Sequence, residues 1–180
     1  MIGMDPQRPD IGRELLRCNE ADDKAREAGE PTTKAELAAI VAVDRKNTAA
    51  LRGILQAHGW PGVTLVGERG AEAAWIIALH ADDDHEFQRW ALWLLSRAAR
   101  LGEAPQKHLA YLTDRCRMHA GQCQIFGTQY RVRDGLLVPV PVEDPERLDA
   151  RRKSVGLGSY AEYDARIRGG ATFLGRKPQW

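Results

Sequence analysis

Between Thr33 and Gly59 the chain places Leu37, Ile40, Val41, Leu51, Ile54 and Leu55 at helical spacing with no proline among them, and both ends are punctuated. Thr33 followed by Glu36 forms a capping box at the start. Gly59 stands where a left-handed residue closes a helix, and Pro61-Gly62 forbids its resumption, leaving Trp60 as the centre of a turn. A helix running to about His58 needs other helices to cover its apolar stripe, so the chain is predicted to be mainly α. The same stripe carries Asp44 and Thr48 through its middle and His58 at its end. A carboxylate is thereby placed inside. Buried and unpaired it would cost several kcal/mol, so Asp44 needs a cation, a set of donors or a proton.

The remaining segments follow the same logic. A helix from Ile11 to about Ala28 ends at Gly29, and Asp22 and Arg26, four apart on it, read as a solvated intrahelical pair. After a break at Gly67, Ala71, Ala74, Trp75 and Ala78 continue a helix that reaches His80, and Asp84 is placed as the N-cap of the next. That next helix turns Phe87, Ala91, Leu94 and Leu95 inward with Gln88 adjoining, and ends near Gly102. Beyond Pro105 another helix carries Leu109, Leu112, Cys116 and His119 and stops at Gly121. The period then changes from helix to strand at Gln124, Asp134-Gly135 signals a hairpin turn, and Pro139 and Pro141 confine the returning strand to an edge.

The expected architecture is an irregular bundle of about five to seven helices with one β-hairpin near residues 123–142. One domain over 11–168 is expected, with flexible tails at 1–10 and 169–180 and a core including Leu37, Ile40, Leu55, Phe87, Leu94 and Leu112. Lysine plus arginine number 26 against 25 acidic residues, a formal +1, so no global field recruits nucleic acid or an anionic membrane. The three cysteines lack zinc-like spacing and suit reduced thiols in a cytoplasm. The apolar runs fall far short of the roughly 20 residues of a membrane span, so a soluble protein is expected.

Polar groups on apolar faces single out candidate site residues. His80 is the group suited to proton transfer, with Asp44 or Asp82 setting its orientation. His58, Trp60, Gln88, Arg115, Gln129 and Tyr130 are candidates for contacting a small-molecule ligand, and His58, His80, Asp82, Gln88 and Gln129 are expected to line one pocket. His80 with Asp84, one turn apart, is a weaker candidate for a metal pair. No serine or cysteine sits in a glycine-rich elbow, phosphate-loop and dinucleotide fingerprints are absent, and no motif names a cofactor. Two readings follow: an acid/base enzyme acting at a helix junction, or a non-catalytic protein- or ligand-binding module whose buried polar residues form a structural network.

His58-Gly59-Trp60-Pro61, Ala74-Trp75, His80-Ala81-Asp82 with Asp84 and Phe87-Gln88, Tyr111-Leu112-Thr113-Asp114-Arg115 and Gly127-Thr128-Gln129 together resemble a bacterial family, domain of unknown function 6624. The resemblance covers roughly Ala35 to Tyr163 and implies a helical intracellular domain without an established reaction. It also implies an early aspartate, glutamine and arginine at one-turn spacing, matched here by Asp22, Asp23 and Arg26, with aspartate in the glutamine's place.

Overall fold

The computed structural model describes residues 5–29, 31–134 and 136–171, and these hold seven α-helices and one antiparallel hairpin. Contacts divide the chain into two compact units, Met1–Pro105 and Gln106–Trp180. No helix among the described residues is long and apolar enough to cross a membrane.

The first unit comprises α1 (Pro9–Ala25), α2 (Lys34–His58), α3 (Val63–Leu79) and α4 (His85–Arg100). Leu15, Leu51, Trp75, Phe87 and Leu95 are fully buried in it. The expected caps are present: Thr33 and Glu36 close the box on α2, Gly59 takes a left-handed φ of 71° at its end, and Asp84 accepts from the Phe87 amide at the start of α4. Gly67, with φ 78°, interrupts α3 where a break was expected. Helices α1 and α3 meet backbone to backbone. A Cβ on Gly12 would lie 2.7 Å from the Val66 carbonyl oxygen, and one on Gly70 would lie 3.2 Å from the Gly12 Cα. That close approach is what lets an α1 side chain reach the end of α3. Residues expected as a tail take part: the Gln7 and Arg8 amides donate to the Thr64 and Leu65 carbonyls, and Pro9 already lies in α1. Residues 1–4 lie outside the described residues.

Leu37, expected in the core, is 52% exposed. The reason lies in the antiparallel register of α1 and α2. Asn47 meets the Cys18 carbonyl and Asp44 meets Arg26, so α1 ends before α2 reaches back to Leu37. Leu94 is half-buried, whereas Leu55 and Phe87 are buried as expected.

The second unit comprises α5 (Gln106–His119), β1 (Tyr130–Arg133), β2 (Leu136–Pro139), a 3-10 turn at Pro145–Arg147, α6 (Leu148–Ser154) and α7 (Tyr160–Ala171). β1 and β2 pair from Tyr130 with Pro139 to Arg133 with Leu136. Asp134 has φ 53°, as a tight turn requires, and Gly135 lies outside the described residues. The C-terminal helix runs on to Ala171, past the expected start of the tail at 169, and residues 172–180 lie outside the described residues.

The strand expected from Gln124 to Gln129 is instead a loop, because a carboxylate takes the amides a neighbouring strand would have bonded. Asp114, fully buried, accepts from the amides of Ile125 (2.7 Å), Phe126 (3.1 Å) and Thr128 (3.1 Å) and from the Thr128 hydroxyl (3.0 Å). Gly127 adopts φ +66°, and a Cβ there would meet the Tyr160 ring at 2.9 Å.

His108 is buried on α5, and burial, with Lys107 alongside, pushes its imidazole down to about 4 from the ordinary 6.5. Between those values the unfolded chain takes up a proton that the folded chain refuses, so stability falls as pH falls. This contribution is fully present above the unfolded value. About 3 kcal/mol should be lost on acidification through that window. Denaturant midpoints measured from neutral to mildly acidic pH should show this slope in the wild type and a shallower one in His108→Leu. Equal slopes would show that His108 does not carry the acid sensitivity.

Candidate functional site

On α1, Ile11, Leu15, Cys18 and Asp22 follow one another at helical spacing, so Asp22 continues the buried stripe. Its side chain is 2% exposed. The Asp22 Oδ1 faces two groups, the Arg26 Nη1, which donates to it, and the His80 Nδ1 at 3.0 Å. Arg26 also donates through Nη2 to both oxygens of Asp44, at 2.9 and 2.8 Å. One guanidinium thus joins carboxylates from α1 and α2, and the α1 carboxylate holds the histidine that closes α3.

Two expectations are corrected here. The Asp22–Arg26 pair is not solvated but forms the centre of an interhelical network, and the carboxylate that orients His80 is Asp22 rather than Asp44 or Asp82. The interior reading of Asp44 agrees with its surroundings: its side chain is 17% exposed and its required cation is Arg26. Burial pushes the Asp44 carboxyl up from its ordinary value, and the Arg26 hydrogen bonds oppose that rise.

A cavity of about 540 Å³ opens beside this network, within the size range of small-molecule sites. One wall is a face of α2 formed by Asp44, Arg45, Thr48, Ala49 and Arg52. The other is the turn between α3 and α4, formed by His80, Ala81, Asp83 and Asp84. Ion pairs join the walls, Arg45 with Asp83 at 2.8 Å and Arg52 with Asp84 at 2.5 Å, while the Arg52 guanidinium also lies 4.8 Å from the centre of the Phe87 ring. Both pairs are substantially exposed and contribute little stability.

His80 is the chemically distinctive group. With Nδ1 on a buried carboxylate, the ring is fixed in orientation. Its Nε2 has no hydrogen-bond partner among the described residues, and His80 lines the cavity. An imidazole held in this way can accept a proton at Nε2 while the carboxylate stabilises the imidazolium that forms. Among the described residues, Asp22, Asp44 and His80 form a group that could hold a metal, with one ligand atom each within 4.8 Å of the others. Arg26 already bonds both carboxylates, so a metal would have to displace it. The metal pair expected from His80 and Asp84 has no such convergence, since the Asp84 oxygens are engaged by the Phe87 amide and by Arg52.

Of the residues expected to share one pocket, His80 lines this cavity. His58 is exposed at the end of α2, and Asp82 is half-buried in the α3–α4 turn but does not line the cavity. Gln88 is fully buried and donates to the Ala78 and Leu79 carbonyls, satisfying the C-terminal end of α3. Trp60 is buried in the α2–α3 turn, and its Nε1 has no partner among the described residues.

Arg115, Gln129 and Tyr130 belong to the second unit, where they join a separate network. Every polar group of Gln129 is engaged: its amide donates to the Gln124 Oε1, its carbonyl accepts from Val140, its Oε1 accepts from Arg115, and its Nε2 donates to the Thr128 Oγ1. The Tyr130 hydroxyl donates to Asp164 at 2.8 Å. Burial, then the neighbouring Tyr160 and Asp164, push that phenol upward, which keeps it a donor.

No curated protein and no solved structure matches the chain. The model of a family of unknown function, DUF6624, matches residues 9–174, and the chain belongs to that family.

Proposed function

We propose that the protein is a small-molecule enzyme of the acid/base class, acting in the cavity between α2 and the α3–α4 turn with His80 as the proton-accepting group. The observation that carries this reading is the pairing of the His80 Nδ1 with the buried Asp22, which leaves Nε2 as the ring nitrogen without a partner beside a cavity. Asp22 and Arg26 act as positioning residues. The network lies behind the ring, so the imidazole enters a reaction already aligned, and alignment is where an acid/base group gains most of its efficiency. Three free cysteines suit a reducing compartment, and a cytoplasmic location belongs to the same proposal.

A second reading has its own support. Arg26 joins α1 to α2, and Asp22 joins α1 to His80. That is enough for a structural tie in a non-catalytic binding module.

His80→Gln separates the two. Incubation of wild-type protein with a cell extract, followed by mass spectrometry, should reveal a small molecule consumed by the wild type and untouched by the variant. The stability cost should stay within about 1–2 kcal/mol. Loss of roughly 1–3 kcal/mol with no His80-dependent conversion of any extract component would establish the structural tie instead.

A further inference from the structure

The charges around the cavity cancel locally. Asp44 is bonded by Arg26, Arg45 by Asp83 and Arg52 by Asp84, so each charged side chain in the lining has a partner of opposite sign. The polar groups left over are a hydroxyl and the ring nitrogen of His80 that Asp22 does not hold. Thr48 is one of them. It is 6% exposed and lines the cavity one turn from both Asp44 and Arg52, and its hydroxyl has no hydrogen-bond partner among the described residues. The Thr48 Oγ1 is also not among the fully enclosed polar atoms without a partner, so it is open to the cavity. The other group is the His80 Nε2. Ala49 and Ala81 add apolar surface to the lining.

A hydroxyl that lines a cavity without a protein partner is free to bond whatever occupies the cavity. Asp44 is matched by Arg26 behind it, and the lining cations Arg45 and Arg52 by Asp83 and Asp84, so the lining offers a ligand ion no surplus charge of either sign. A hydroxyl needs none, because it can donate to the His80 Nε2 while accepting from Thr48.

We infer that the cavity takes an uncharged hydroxyl compound, an alcohol or polyol, whose reacting hydroxyl is held between the Thr48 Oγ1 and the His80 Nε2. This rests on the reading of His80 as the group that meets the ligand. Proton transfer from that hydroxyl to Nε2 leaves an alkoxide and an imidazolium stabilised by Asp22. Thr48 is the residue that selects for the hydroxyl.

Three probes of one carbon skeleton test this: glycerol, glycerate and aminopropanediol. Each is titrated into the full chain while the Thr48 methyl and His80 ring signals are followed by NMR. Glycerol should shift both signals, and each charged analogue should bind roughly tenfold more weakly. Thr48→Val keeps the shape and removes a hydroxyl with no partner of its own, so the fold should survive, while glycerol binding weakens roughly three- to tenfold. The inference is overturned by tighter binding of either charged probe, by unchanged affinity in Thr48→Val, or by no response to glycerol at all. The two proposals fail separately. Thr48-dependent glycerol binding without His80-dependent turnover would retain the ligand class and discard the base. Turnover with preferred binding of glycerate would do the reverse.

Discussion

Asparagine in place of Asp22 should disable the candidate site and weaken the first unit together. The carboxylate is 2% exposed and faces both the Arg26 guanidinium and the His80 Nδ1. Asparagine can keep an oxygen in the Oδ1 position that both groups share, but it carries no charge to balance the Arg26 guanidinium or to hold the proton of the His80 ring on Nδ1. Removing one member of a buried charged pair costs about 3–5 kcal/mol, and the partial exposure of Arg26 places the expected loss below that range, at roughly 2–3 kcal/mol. The chemical loss should be larger. Without the carboxylate, neither the orientation of the ring nor the tautomer with its proton on Nδ1 is enforced, and a histidine so released loses about 10²–10⁴ in rate. Nitrogen NMR of the His80 ring should report the proton on Nδ1 in the wild type and a mixture of tautomers in Asp22→Asn. The His80-dependent turnover should fall with it. A variant that retains both the tautomer and the turnover would remove Asp22 from the site, whatever its stability.

Why Asp22 escapes the local reading is instructive. Asp22 and Arg26 sit four apart on one helix, and that spacing explains their pairing with no reference to the rest of the chain. The informative register is the other one, Ile11, Leu15, Cys18 and Asp22, which places the carboxylate on the buried stripe. The same pattern on α2 did identify Asp44, because there Leu51 and Leu55 continue the stripe beyond it. What neither helix reveals alone is that the two stripes face each other with Arg26 between them. The resemblance to the family pointed to Asp22 and Arg26 without assigning them a contact. His80 was legible as a polar group closing a helix. Its partner comes from a segment 58 residues away and depends on the Gly12–Gly70 approach of α1 to α3, a matter of packing rather than period.

Local signals with local partners were the most dependable. The Thr33–Glu36 box, the Gly59 terminator and the Asp84 cap all act within one turn of the chain, and all appear where their spacing places them. The hairpin is likewise present, but its first strand begins at Tyr130 rather than near Gln124. Alternation of side chains from Gln124 onward suits a strand, and the competing acceptor for its amides lies on α5, more than ten residues earlier. Thr48 is legible in the sequence as a polar interruption of an apolar stripe, yet only the cavity beside it gives its hydroxyl a use.

That acceptor on α5 carries the other large effect. Replacing Asp114 by asparagine should destabilise the second unit by roughly 3–5 kcal/mol, since three backbone amides and a hydroxyl converge on two oxygens with no exposed surface. Asparagine offers one oxygen, and its amide nitrogen points a donor at donors. The consequence extends along the loop: the Thr128 hydroxyl, released from Asp114, is the acceptor for the Gln129 Nε2, and the Gln129 Oε1 is the acceptor for Arg115. The Tyr163 hydroxyl donates to the Thr128 carbonyl, so α7 loses part of its anchorage too. Hydrogen exchange should accelerate at the amides of Ile125, Phe126 and Thr128 before it does so within α5, because those amides have the Asp114 side chain rather than a helix as their acceptor. A denaturant midpoint within about 1 kcal/mol of the wild type, with those amides still protected, would mean that the loop holds its shape without the carboxylate. The remaining ties, Gln124 to the Gln129 and Val140 carbonyls and Arg152 to the Phe126 carbonyl, would then be sufficient to fix it.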